Sequence, residues 1–179
     1  GAHCQHWDYL DCIYRRDPVS GKFLYTSLSA LFGELRSEEH GLIGELAATL
    51  VATLPVDETL IYGPLAVGQH VDHQLVFQVA LRLRRHGFQV QFYEDFPYAE
   101  DSENLPAALQ LWASPPLPTV QPLSEEGLEG RIAAIRLYRS QLDMLFGGES
   151  FLVTRVKTYA LSVGAGRGYG ERYWEGGTR

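Results

Sequence analysis

No run of basic residues interrupts this chain: 15 Lys and Arg stand against 22 Asp and Glu in 179 residues, a net charge of −7. Sequence-independent nucleic-acid binding needs a basic surface to collect phosphates, so that class is set aside. No stretch reaches the roughly 18 consecutive apolar residues of a membrane helix. The opening holds Asp8, Asp11, Arg15, Arg16, Asp17 and Lys22 where a signal peptide needs an apolar block. Neither a membrane nor a nucleic acid is expected as a partner. Cysteine is scarce too. Cys4 and Cys12 are too few and too close together to staple a domain of this length, so both are expected as thiols in a cytoplasmic protein. Apolar residues are plentiful at 45%, enough for one core, and residues 1–179 are expected to form a single domain.

Periodicity organises the chain. Leu42, Ile43, Leu46, Ala47, Leu50, Val51 and Leu54 recur at three- and four-residue steps, which predicts a helix over residues 37–54. Ser37 is its expected N-cap, Glu38 and Glu39 suit the positive end of its dipole, and Pro55 stops it. Residues 58–62 read as a strand with Leu60 and Ile61 buried, ending at Gly63-Pro64. A second helical pattern runs from Val71 to His86, with Gly87 just past its end. Residues 88–93 then alternate apolar and polar, a strand expected nearer the sheet edge. Strand, helix and strand make a βαβ unit with parallel strands.

The predicted class is therefore α/β, a Rossmann-like open, mostly parallel sheet flanked by helices. A third helix is expected over 124–146, stopped by Gly147-Gly148, while the proline-rich stretch 97–122 is read as neither regular helix nor central strand. Residues 9–14 and 151–156 are weaker strand candidates. That count is low for a doubly wound sheet, and the expectation is a sheet lacking its N-terminal strands.

The sequence Gly68-Gln69-His70-Val71-Asp72-His73 carries the chemistry. It follows a predicted parallel strand and opens a helix, where open α/β sheets place their sites. The spacing of His70 and His73 sets both rings on one face of a helical turn, and Asp72 stands ready to fix a neighbouring tautomer. The alternative is that these histidines only cap the helix.

The string HVDH resembles the HPDH motif of the PIG-L/LmbE-like deacetylases, zinc-dependent amidases acting on N-acetylglucosamine-type sugars. PLAVGQHVDHQLV, FYEDFPYAE, AAIRLYRSQLDMLF and GERYW follow the same order as in one branch of that family. The resemblance implies His73 as a Zn²⁺ ligand, His70 as the catalytic residue that stabilises the tetrahedral intermediate or protonates the leaving amine, and Asp72 as its tuner. It places Asp95 and Tyr98 against sugar hydroxyls and has Glu171, with Arg172, closing over the pocket. The implied reaction is removal of an acyl group from the amide nitrogen of a sugar-like small molecule. The other motif of the family, resembling HPDDE, supplies the remaining ligands and the general base. Nothing like it occurs here, so this chain resembles the C-terminal two-thirds of such a domain, with an incomplete metal site and no activity of its own.

The alternative function is a non-catalytic carbohydrate-binding or interaction domain on the same scaffold. Glu94 and Asp95 have a solvated loop as their competing reading, GERYW has aromatic packing, and 164–170 is expected as a flexible loop and not a phosphate loop. His6, Trp7, Asp8 and Asp11 are candidates to face the pocket, with packing the stronger reading for Trp7. Cys4 and Cys12, lacking basic neighbours, are not expected to be nucleophiles. A bare sheet edge would invite a second copy, so a homo-oligomer is among the expected states.

Overall fold

The computed structural model of the chain describes residues 3–177. In chain order the elements are α1 (Leu28–Leu31), α2 (His40–Thr53), β1 (Leu60–Pro64), α3 (Val71–Arg85), β2 (Gln89–Tyr93), α4 (Asn104–Gln110), β3 (Leu117–Leu123), α5 (Glu125–Arg136), α6 (Leu142–Phe146), α7 (Glu149–Gly164) and β4 (Tyr169–Glu175). The chain divides into two compact units, one of Gly1–Ile61 with Gln69–Gln89, the other of Tyr62–Gly68 with Val90–Arg179. Among the described residues no helix is long and apolar enough to cross a membrane.

The four strands form one α/β sheet in the order β1-β2-β4-β3. Leu65 N–H donates to the Tyr93 carbonyl at 2.9 Å, tying together the C-terminal ends of β1 and β2, as a parallel pair requires. β4 runs antiparallel to both β2 and β3, so β1, β2 and β3 share one direction. This is the expected open sheet of mostly co-directed strands, with one reversed strand inserted.

Edge and interior are exchanged relative to the sequence reading. β1 is the outer strand and Leu60, at its start, is 43% exposed; burial begins at Gly63 and Pro64 and deepens at Leu65 and Val67. β2 lies inside, between β1 and β4. Other local readings are corrected as well. Residues 151–156 belong to α7, where Leu152, Val156, Ala160 and Val163 are buried at helical spacing. Residues 9–14 hold a 3-10 turn at Cys12–Tyr14, capped by the Asp11 carboxylate. The proline-rich stretch contains α4, with Pro106 in its first turn, and β3, whose Pro118 and Pro122 are tolerated because β3 is an edge. The third helix breaks after Arg136 and resumes as α6. The glycine-rich stretch 164–170 ends α7 and begins β4.

In the second unit, Leu128, Ile132, Leu142, Phe146, Leu152, Val156 and Ala160 form a core from α5, α6 and α7. α7 closes on β4 where glycine meets glycine: a Cβ on Gly170 would lie 3.2 Å from the Gly164 Cα. In the first unit, α2 packs on α3, and Cys12, Tyr25 and Val71 form a smaller core with Leu24, Leu31 and Leu35 around it.

Candidate functional site

α3 begins with its own histidine. His70 is the N-cap, and its Nδ1 accepts from the Asp72 backbone N–H at 3.3 Å. The capping role is thus real, yet it engages only one ring nitrogen. With Nδ1 accepting, the proton of the neutral ring sits on Nε2, which is then a donor. Burial holds the His70 imidazole below its ordinary pKa, and His73 beside it adds to this. The two rings stand with centroids 5.3 Å apart, tilted by 53°, while Phe32 meets His70 edge-on at 5.3 Å. The structure therefore brings His70 and His73 together as their spacing predicts.

Asp72 joins them through a network that the sequence did not reveal. Its carboxylate accepts from the Arg15 guanidinium through Oδ1 and from the Cys12 N–H at 3.4 Å through Oδ2. Arg15 Nε lies 2.6 Å from Glu39 Oε1, and the Tyr25 hydroxyl donates to Glu39 Oε2. The Arg36 N–H donates back to the Tyr25 hydroxyl at 3.1 Å. Glu39, expected to serve the dipole of α2, is instead turned inward and only 3% exposed, and Ser37 makes no cap bond. A line of hydrogen bonds and ion pairs thus runs from the buried Tyr25 and Glu39 through Arg15 to Asp72 in the first turn of α3.

Three donors in this unit approach one another closely. One atom each from Cys12, His70 and Asp72 lies within 4.8 Å of the others. As arranged, they do not fit zinc. Both Asp72 oxygens already serve Arg15 and Cys12, and burial together with Asp72 pushes the Cys12 thiol well above its usual range, away from the thiolate a metal binds. His73 is not in this group.

The predicted residues of the second unit are placed differently. Asp95 is not in a solvated loop: it is 2% exposed, and its Oδ2 accepts from the Val67 N–H at 2.8 Å. It holds the loop after β1 rather than presenting a free carboxylate. Tyr98 is half-buried against Gly68, which adopts φ +80°; a Cβ there would lie 2.7 Å from the Tyr98 Cβ and Cγ. Burial, then the Asp95 charge, raises the Tyr98 pKa. Glu171 reaches a cleft of about 250 Å³, where its Oε1 accepts from Arg131 at 2.8 Å and its Oε2 from the Tyr173 hydroxyl at 2.8 Å.

Glu94, with a solvated loop as its competing reading, is buried instead. Its side chain is 3% exposed and gathers Arg172 Nε at 2.5 Å, Trp174 Nε1 at 2.8 Å and the Tyr159 hydroxyl. Arg172 and Trp174 are thereby drawn inward, so GERYW is both a packing element, as strand β4, and part of the cleft wall. In the first unit, His6, Trp7 and Asp8 line a shallow groove with Glu45 and Thr49, and Trp7 packs edge-on to Tyr9. Cys4 is an exposed thiol and Cys12 a buried one.

No family model matches the chain. Over 98 residues it is 28% identical to the 2'-N-acetylparomamine deacetylase of Niallia circulans, covering 55% of this chain and 35% of that protein. It superposes on the zinc-inhibited form of teicoplanin deacetylase Orf2 with a TM-score of 0.72 and 27% identity, over 93% of this chain and 64% of that one. The A40926 pseudoaglycone deacetylase Dbv21, at 22% identity and a TM-score of 0.56 over 75% of this chain and 54% of that one, shares the fold. The chain spans about a third of the curated relative and less than two thirds of these solved structures. In sequence and in fold it is a relative of known deacetylases, consistent with the PIG-L/LmbE-like family that its HVDH motif resembles.

Proposed function

We propose that this chain forms part of a metal-dependent amide hydrolase that removes an acyl group from the nitrogen of a sugar-like substrate. The observation that carries the reading is the His70–His73 pair, with one ring capped, neutral and offering Nε2–H. His70 is the hydrogen-bond donor, through Nε2–H, to the acyl oxygen as negative charge collects there. His73 is the metal ligand that this chain contributes. Zinc sites of this type use about three protein ligands and an open position, so His73 requires further donors. The cytosol suits the two thiols of Cys4 and Cys12.

Metal content and turnover, measured on two variants of a protein that joins this chain to an HPDD-like motif, test the assignment. His73→Ala should lose both metal and activity. His70→Ala should keep its metal and lose turnover by about 10²–10³-fold, the loss that follows removal of one transition-state donor. Full activity in both variants would end the deacetylase reading, and retention of metal in His73→Ala would remove His73 as a ligand. For the 179-residue chain alone, dialysis against zinc should leave no stoichiometric metal.

A further inference from the structure

Asp72 is the residue that the sequence offers as partner to a histidine ring, yet both of its oxygens are taken by the Cys12–Tyr14 turn and the residue that closes it. Oδ1 accepts from the Arg15 guanidinium and Oδ2 from the Cys12 N–H at 3.4 Å. His70 Nδ1 takes the Asp72 backbone N–H instead. All of these residues belong to the first unit.

Arg15 is held in place from several sides. Its N–H donates to the Cys12 carbonyl at 3.2 Å, and its own carbonyl accepts from the Leu24 N–H at 3.0 Å. Nε lies 2.6 Å from Glu39 Oε1, while the Tyr25 hydroxyl engages the other Glu39 oxygen. With Nε of the planar guanidinium committed to a buried carboxylate, Nη2 is directed at Asp72.

This clamp decides between two hydrogen bonds. One Asp72 oxygen and one His70 ring nitrogen lie within 4.8 Å of each other, a gap that a side-chain rotation closes, and Nδ1 is the nitrogen that meets the Asp72 backbone. A carboxylate accepting from a ring N–H makes a charge-assisted bond, about twice as strong as the neutral one from the backbone. A freed Asp72 would therefore draw the proton to Nδ1. Nε2, left with a lone pair, would then have nothing to donate. The Cys12 contact, at 3.4 Å, is too long to hold the carboxylate back alone.

We propose that Arg15 is a positioning residue for His70: by holding the Asp72 carboxylate off the ring, it keeps His70 in the tautomer that donates from Nε2. The proposal rests on the deacetylase reading for the use made of that donor, whereas the tautomer is measured without any reaction.

Long-range proton-to-nitrogen NMR correlation of the 179-residue chain, at about pH 8, reads which ring nitrogen of His70 carries the proton, and His70→Gln identifies the signals. Wild type and Asp72→Ala should both show Nε2–H, because residue 72 keeps the backbone N–H that meets Nδ1. Arg15→Ala combined with Glu39→Gln removes both buried charges together and so spares the fold. That pair should move the balance towards Nδ1–H by about tenfold or more, and adding Asp72→Ala should restore Nε2–H. A role in stability alone would leave the tautomer of the folded protein unchanged in every variant, and that result would overturn the proposal. Nδ1–H in wild type or in Asp72→Ala would overturn it as well.

In a protein that joins this chain to an HPDD-like motif, the Arg15→Ala, Glu39→Gln pair should lower kcat about tenfold with KM unchanged, the pattern of a donor used only in the transition state. A raised KM with kcat unchanged would remove the positioning role. The expected tautomer shift in a protein with no measurable deacetylation would defeat the proposed function and leave the clamp standing.

Discussion

Replacing Arg15 by Ala should unsettle the first unit more than an ordinary surface change would. Arg15 is 11% exposed and its partner Glu39 only 3%, so the variant leaves a carboxylate buried with the Tyr25 hydroxyl as its remaining neutral partner. Removing one member of such a pair costs about 3–5 kcal/mol, because the surviving charge has lost its water without compensation. That is a large share of the roughly 5–15 kcal/mol by which domains are stable. With a urea dependence of about 2.5 kcal/mol per M, the unfolding midpoint should fall by roughly 1–2 M.

The pH dependence supplies a sharper check. Burial already holds the Glu39 carboxyl above its ordinary value of 4.5, against the pull of Tyr25 and Arg15. Without Arg15 it rises further. A group with a raised folded-state pKa contributes stability that is lost as pH climbs through that value, so the gap between wild type and variant should be larger at about pH 7 than at about pH 4. Urea melts at both pH values, followed by far-ultraviolet circular dichroism, measure it. A midpoint shift below about 0.3 M, or a gap unchanged with pH, would refute the idea that Glu39 is a charge held by Arg15.

Two further outcomes are expected. Gly68→Ala forces a side chain into φ +80° and against Tyr98, so it should lower stability by about 1–3 kcal/mol and the melting temperature by several degrees; an unchanged melt would contradict that close approach. NMR titration should place the His70 midpoint below 6.5, and since the unfolded chain then takes up the proton first, stability should decline as pH falls through that region, a decline that His70→Gln flattens.

Much of the frame was legible from local pattern. The unit from β1 through α3 to β2 follows from apolar periodicity and the glycines that end its elements, and the His70–His73 pairing follows from one turn of helix. Elements whose pattern depends on neighbours were not legible. β4 reads YGERYWE, polar and aromatic without clean alternation, because Arg172 and Trp174 are drawn to Glu94 and Tyr173 to Glu171. α7 was obscured by its first residues, whose β-branched and aromatic members suggest a strand until Ala160 and Val163 are counted with Leu152 and Val156. Arg15 and Glu39 gave no signal at all, since an ion pair between distant positions leaves no periodicity in the chain.

The order of the sheet also governs the order in which it can be completed. β3 pairs with β4 along seven residues, from Leu117 opposite Glu175 to Leu123 opposite Tyr169, and has no other neighbour in the sheet among the described residues. During synthesis β3 emerges before α5, α6 and α7, long ahead of its only partner. Throughout that interval the ribosome presents a strand with an open backbone. Pro118 and Pro122 offer no N–H, so this nascent strand is a poor template for another chain. β4 lies between β2 and β3, so a ribosome stalled before Tyr169 would hold a chain that lacks the strand joining the two halves of the sheet.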